Sequence, residues 1–107
     1  MALIYKVIWN DNEIGEISDL SRDMWYIDGT WTPFHTYLSI EFEQKLKSSD
    51  LKKLMQNPEN ALRVVLQDIS EPSSYLYCLA MGFDGKVLLL RQITSKEALD
   101  MFFPNRL

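Results

Sequence analysis

The chain has 107 residues, 47% apolar and 24% charged, a size and balance that suit one folded domain and exclude a disordered chain. Fifteen acidic against eleven basic side chains give a net charge of −4, which argues against nucleic acid and anionic membrane as main partners, because both are bound through basic surface. No stretch approaches the roughly 18 apolar residues of a spanning helix, and the opening Met-Ala-Leu-Ile-Tyr-Lys-Val lacks the pattern of a secretory signal. The one cysteine, Cys78, cannot form an internal disulfide. The expectation is a cytoplasmic protein.

The first ten residues read as a strand, with Leu3, Tyr5, Val7 and Trp9 on one face and Ile4 and Ile8 flanking Lys6 on the other. Asn10-Asp11-Asn12 is a turn signal, since short polar side chains bond their own backbone and tolerate positive φ. A second strand is expected over about Glu13 to Ser18, paired back as a hairpin, with Gly15 marking a bulge or a close approach. Asp19 to Asp23 is polar and reads as a connection. Met24 to Trp31 reads as a third strand or aromatic arm ended by Pro33.

Residues 34 to 48 carry two patterns. Phe34, Leu38, Phe42 and Leu46 recur every four residues, as on a helix, while Leu38 to Glu43 alternates as a half-buried strand would. Length and the Glu/Gln/Lys/Leu tail favour the helix. Asp50 to Gln56 reads as a second short helix with Leu51, Leu54 and Met55 inward, closed by Asn57-Pro58.

In the C-terminal half, strands are expected at Leu62 to Ile69, Tyr75 to Phe83 and Lys86 to Ile93. The last two are joined by Asp84-Gly85, a strong hairpin signal. Thr94-Ser95-Lys96-Glu97 matches a capping box with Thr94 as N-cap, opening a last helix that carries Ala98, Leu99, Phe102 and Phe103. The sum is an α+β fold: an antiparallel sheet of about six strands with two or three helices packed on it. The strands at 75–83 and 86–93 are apolar on both faces, whereas a strand with one wet face should alternate. A second covering layer is therefore expected, either helices on one face with another element on the other, or a second subunit. This motivates a homodimer or partner interface.

Catalytic parts are scarce. His35 stands alone, and zinc sites need three or four ligands, so no metal is expected. Cys78, inside an apolar strand, reads as a small hydrophobe rather than a nucleophile. The carboxylate pairs Asp11/Glu13, Asp19/Asp23 and Glu41/Glu43 fall in turns or on a polar face, and Asn10 to Gly15 lacks the alternating Asp and distal Glu of a calcium loop. The four glycines are too scattered to cradle a phosphate, so no cofactor is expected. Lys45, Lys47, Lys52 and Lys53 read as a solvated helix face.

The segment Trp25-Tyr26-Ile27-Asp28-Gly29-Thr30-Trp31-Thr32-Pro33 is the most unusual stretch. Its aromatics serve either as core or as a partner anchor, since Trp and Tyr dominate interface hot spots. Alternation sends Trp25, Ile27 and Gly29 to one face and Met24, Tyr26 and Asp28 to the other. Trp25, Tyr26, Asp28 and Trp31 are the candidate binding residues.

Together, Tyr5-Lys6-Val7, the polar turn, Gly15-Glu16-Ile17, the Trp25–Pro33 segment and the late Asp84-Gly85 hairpin resemble a family of small uncharacterised bacterial proteins. Its members set Gly-x-Ile and aromatic-x-x-Gly-x-aromatic-x-Pro before a helix. The resemblance implies an α+β domain and a bacterial source, and carries no activity with it.

Three functions remain in view. The first is a non-enzymatic protein-interaction module, one form of it an antitoxin-like immunity protein that blocks a partner's site. The second is a small-ligand-binding domain with an aromatic pocket. The third is an enzyme pairing His35 with Asp28 or Glu41.

Overall fold

Asn10 and Asp11 both take positive φ, 51° and 63°, as the two central residues of a type I′ turn must. Strand β1 (Ile4–Trp9) therefore doubles back directly into β2 (Asn12–Asp23). The structure, a computed structural model, describes residues 4–105 apart from the side chains of Leu51, Met55 and Pro58, so Leu3 and the inward roles expected of Leu51 and Met55 lie outside it. Strand β3 (Tyr26–Pro33) follows, then helices α1 (Tyr37–Lys47) and α2 (Leu51–Gln56). Strands β4 (Leu62–Asp68), β5 (Tyr75–Asp84) and β6 (Val87–Gln92) and helix α3 (Lys96–Phe102) complete the chain.

The six strands are antiparallel throughout and close into a barrel in the order β1-β2-β3-β6-β5-β4. This overturns the expected α+β architecture. The protein is mostly β, and its principal helix does not lie on a sheet face. Closure follows from two devices. One is the length of β2, which spans the polar stretch expected to be a connection and bends at bulges. Val7 pairs with Gly15 but Ile8 with Glu13, leaving Ile14 as an extra inward residue; a second register shift lies between Ser18 and Ser21, beside Asp19 with φ of 54°. The other device is the crossover through α1 and α2, which returns the chain so that β4 pairs with β1 and β6 with β3. The strand order is unchanged if the first three strands are exchanged with the last three, so the chain is two three-strand meanders joined along two seams.

Every strand places two buried apolar residues in the interior: Val7 and Trp9, Ile14 and Ile17, Ile27 and Trp31, Val64 and Leu66, Cys78 and Ala80, Leu88 and Leu90. Gly15 and Gly29 are required by close approach. A Cβ on Gly15 would lie 2.5 Å from the Trp31 ring, and one on Gly29 would lie 2.7 Å from the Ser18 carbonyl oxygen.

Helix α1 is the form that residues 34–48 adopt. Thr36 caps it, its hydroxyl accepting from the Ser39 N–H, and Lys45 and Lys47 complement the dipole in its last turn. It buries Phe42 and Leu46 among the barrel residues. The Phe42 ring lies 5.6 Å from both Trp9 and Trp31 and 6.4 Å from Phe83, so α1 plugs the end where β1, β3 and β5 finish. Ser39 is buried but satisfied, donating to the Thr36 carbonyl at 2.8 Å.

The two-faced strands now have their explanation. Cys78 and Ala80 face the interior, while Leu79 and Met81 join Leu54, Ile93, Phe102 and Phe103 in a second cluster on the outer wall. Barrel interior and α2/α3 cover the two faces of β5, so its pattern needs no second subunit. The N-cap of α3 is Ser95, accepting from the Ala98 N–H, rather than the expected Thr94.

Candidate functional site

Asp23 and Tyr26 face each other at the close of β2 and β3, leaving Met24-Trp25 as a two-residue turn. Met24 has φ of 58°, which costs a non-glycine residue about 1–2 kcal/mol. The turn is held nonetheless. The Gln92 N–H donates to the Trp25 carbonyl at 2.6 Å, and the Arg22 guanidinium bonds the Gln92 side chain. The result is a fixed apolar tip: Met24 is 69% exposed, Trp25 45% and Tyr26 42%, with the Trp25 and Tyr26 rings 6.5 Å apart. Arg91 stands opposite Tyr26 in the register, so Trp, Tyr and two Arg gather at one end of the barrel.

The four sequence candidates separate. Trp25 and Tyr26 are at the tip. Asp28 lies on β3 opposite Ser21 and Leu89, partly exposed on the outer wall. Trp31 points inward against Gly15 and is 8% exposed. Sequence reading missed the turn itself, because Met-Trp carries none of the Gly, Asn or Asp that mark positive φ. Two contributors to the tip, Arg22 and Arg91, come from other strands.

The catalytic alternative finds no assembly. His35 is exposed between β3 and α1, with φ of 58°. Glu41 pairs with Lys45 at 4.0 Å, and no hydrogen bond or ion pair joins His35 to Asp28 or Glu41. Among the described residues no group of three or more His, Cys, Asp or Glu is placed to hold a metal ion. Burial pushes the Cys78 thiol up to about 12, against a smaller opposing pull from the Arg22 charge, so the sulfur stays protonated and unreactive.

Two cavities open on the outside, one beside each seam. One, of about 410 Å³, lies among Ile8, Arg63, Val65, Tyr77 and Phe102, with Pro104 and Asn105 on its wall and the Arg63 guanidinium 5.4 Å from the Phe102 ring. The other, of about 470 Å³, lies between the end of β3, the β5–β6 turn and α1. No helix is long and apolar enough to cross a membrane among the described residues. No family model, curated protein or solved structure matches the chain.

Proposed function

We propose that the chain is a non-enzymatic protein-interaction module whose contact surface centres on the Met24-Trp25-Tyr26 tip. The supporting observation is the exposure of three consecutive large apolar side chains on a turn whose Trp25 carbonyl is held by the Gln92 N–H, with Arg22 of β2 bonded to the same Gln92 side chain. Trp, Tyr and Arg are the residue types that dominate interface energetics, and a fixed turn loses little conformational entropy on binding. Each strand of the closed barrel pairs with a neighbour on both sides over most of its length, so recognition falls to side chains rather than to strand addition.

The test is affinity capture from the source cells with three forms of the tagged chain: unsubstituted, Trp25→Ala/Tyr26→Ala, and Tyr37→Ala. Tyr37 is 82% exposed on α1, away from the tip, and serves as the control. A stoichiometric partner retained by the control and lost by the tip variant supports the reading. A partner retained equally by all three refutes the tip as its anchor.

A further inference from the structure

The cavity at the β3–β6 seam arises where the ladder runs out. Pairing of β3 with β6 ends at Thr30 opposite Val87, while β3 continues to Pro33. One more bond follows, from the Trp31 N–H to the Lys86 carbonyl at 2.8 Å. Beyond it, Glu43 and Lys47 of α1 form the facing wall of the 470 Å³ space.

Its chemistry is specific. The Trp31 and Phe83 rings lie 6.3 Å apart and both pack against Phe42; Trp31 is nearly buried, so half-buried Phe83 supplies most of the aromatic surface, and it is held in place. Glu43 is engaged, its carboxylate accepting from the Trp31 indole N–H at 3.5 Å. Lys47 reaches over Phe83, its ammonium 5.8 Å from the ring centroid, and Lys86 stands on the opposite lip. Neither lysine is ion-paired among the described residues, although acidic groups outnumber basic ones in this chain. Two lysines thus line this cavity, and its one carboxylate, Glu43, is turned to the Trp31 indole N–H. The volume falls within the roughly 300–1,000 Å³ of small-molecule sites.

We propose that this cavity binds a small planar aromatic carboxylate, its ring against Phe83 beside the rim of Trp31 and its carboxylate between Lys47 and Lys86. The site lies at the opposite end of the barrel from the Met24-Trp25-Tyr26 tip and is independent of it.

The experiment is a nitrogen-15 NMR titration of the full chain with phenylacetate, and in parallel with phenethylamine, which keeps the ring and reverses the charge. Phenylacetate should shift the Trp31 indole N–H and the Thr32 and Lys86 amides saturably, and phenethylamine should leave them in place. Lys47→Gln/Lys86→Gln, both at exposed positions, should weaken phenylacetate about tenfold or more without changing the melting temperature, since charge-assisted bonds are the strong ones. Equal shifts from both compounds, an affinity unchanged by the double substitution, or no saturation up to about 10 mM would each overturn the proposal.

Discussion

Replacing Phe42 by Ala tests whether α1 is the stopper of the barrel. Phe42 is fully buried and touches three rings, Trp9, Trp31 and Phe83. A buried Phe→Ala change costs about 3–5 kcal/mol, and the value depends on how far the site can collapse. Here the space left behind is walled by a closed hydrogen-bonded ladder, so collapse is small and the upper end, about 4–5 kcal/mol, is expected. At about 2.1 cal/mol/K of unfolding entropy per residue, that loss lowers Tm by about 18–22 °C in a chain of this length. The assay is urea unfolding followed by tryptophan emission. The slope should be unchanged, the midpoint should fall, and native emission should shift to the red as Trp9 and Trp31 lose their partner. Phe34→Ala, at a 39% exposed position just before the helix, should cost under about 1 kcal/mol. A Phe42→Ala loss below about 2 kcal/mol, or one equal to that of Phe34→Ala, would show that α1 does not seal the interior.

The glycines offer a matched comparison. Gly15→Ala and Gly29→Ala, whose new methyl groups meet Trp31 and the Ser18 carbonyl, should each cost about 1–3 kcal/mol, whereas Gly82→Ala, with open space around it, should be neutral or stabilising by up to about 1 kcal/mol in thermal melts. Met24→Gly relieves the positive φ at the tip and should raise stability by about 0.5–1 kcal/mol after the added chain entropy of glycine; a loss in chemical denaturation would show that Met24 is unstrained. Cys78 should stay unlabelled by a disulfide reagent at pH 8 and react fully in guanidinium. Because its proton is held to about pH 12 in the folded chain but released near 9 when unfolded, its contribution to stability is complete below pH 9 and declines as pH rises towards 12, an effect that Cys78→Ala should abolish in alkaline melts.

Local chemistry was legible where one residue decides the backbone. Asn10-Asp11 and Gly85 mark turns because positive φ falls to just those residue types, although Gly85 alone takes it at the second hairpin, φ 60°, as the first position of a two-residue turn between Asp84 and Val87. The alternation of Tyr26, Ile27 and Asp28 also shows the outward and inward faces of β3. What could not be read is non-local. Nothing in Tyr5 or Asp68 names the other as its partner, so a sheet and a barrel write the same periodicity, and β5 looks two-faced in either. The candidate tip was half legible. Its aromatics stood out, but the turn at Met24 breaks the usual residue preference, and the hydrogen bonds fixing it come from β6. Trp31 carried the same aromatic signal as Trp25, yet its ring lies inside over Gly15, which sits two residues along β2 from its register partner Ile17 and is placed there only by the β2–β3 pairing.

The two seams set the order in which this molecule is made. Each meander forms from neighbours in sequence, and hairpins of this kind assemble in about 1–10 μs. The seams pair β1 with β4 and β3 with β6, strands from opposite halves of the chain, so closing them carries the loop-entropy barrier and places refolding in the millisecond-to-second range of non-local β topologies. During synthesis the first meander leaves the ribosome with both outer strands bare: β1 waits for β4, and β3 waits longer, until β6 has been translated. In that interval the nascent chain exposes strand edges, that of β3 for the longest time, and the apolar inner wall of half a barrel, so its aggregation depends on elongation speed as well as on the stability of the finished fold.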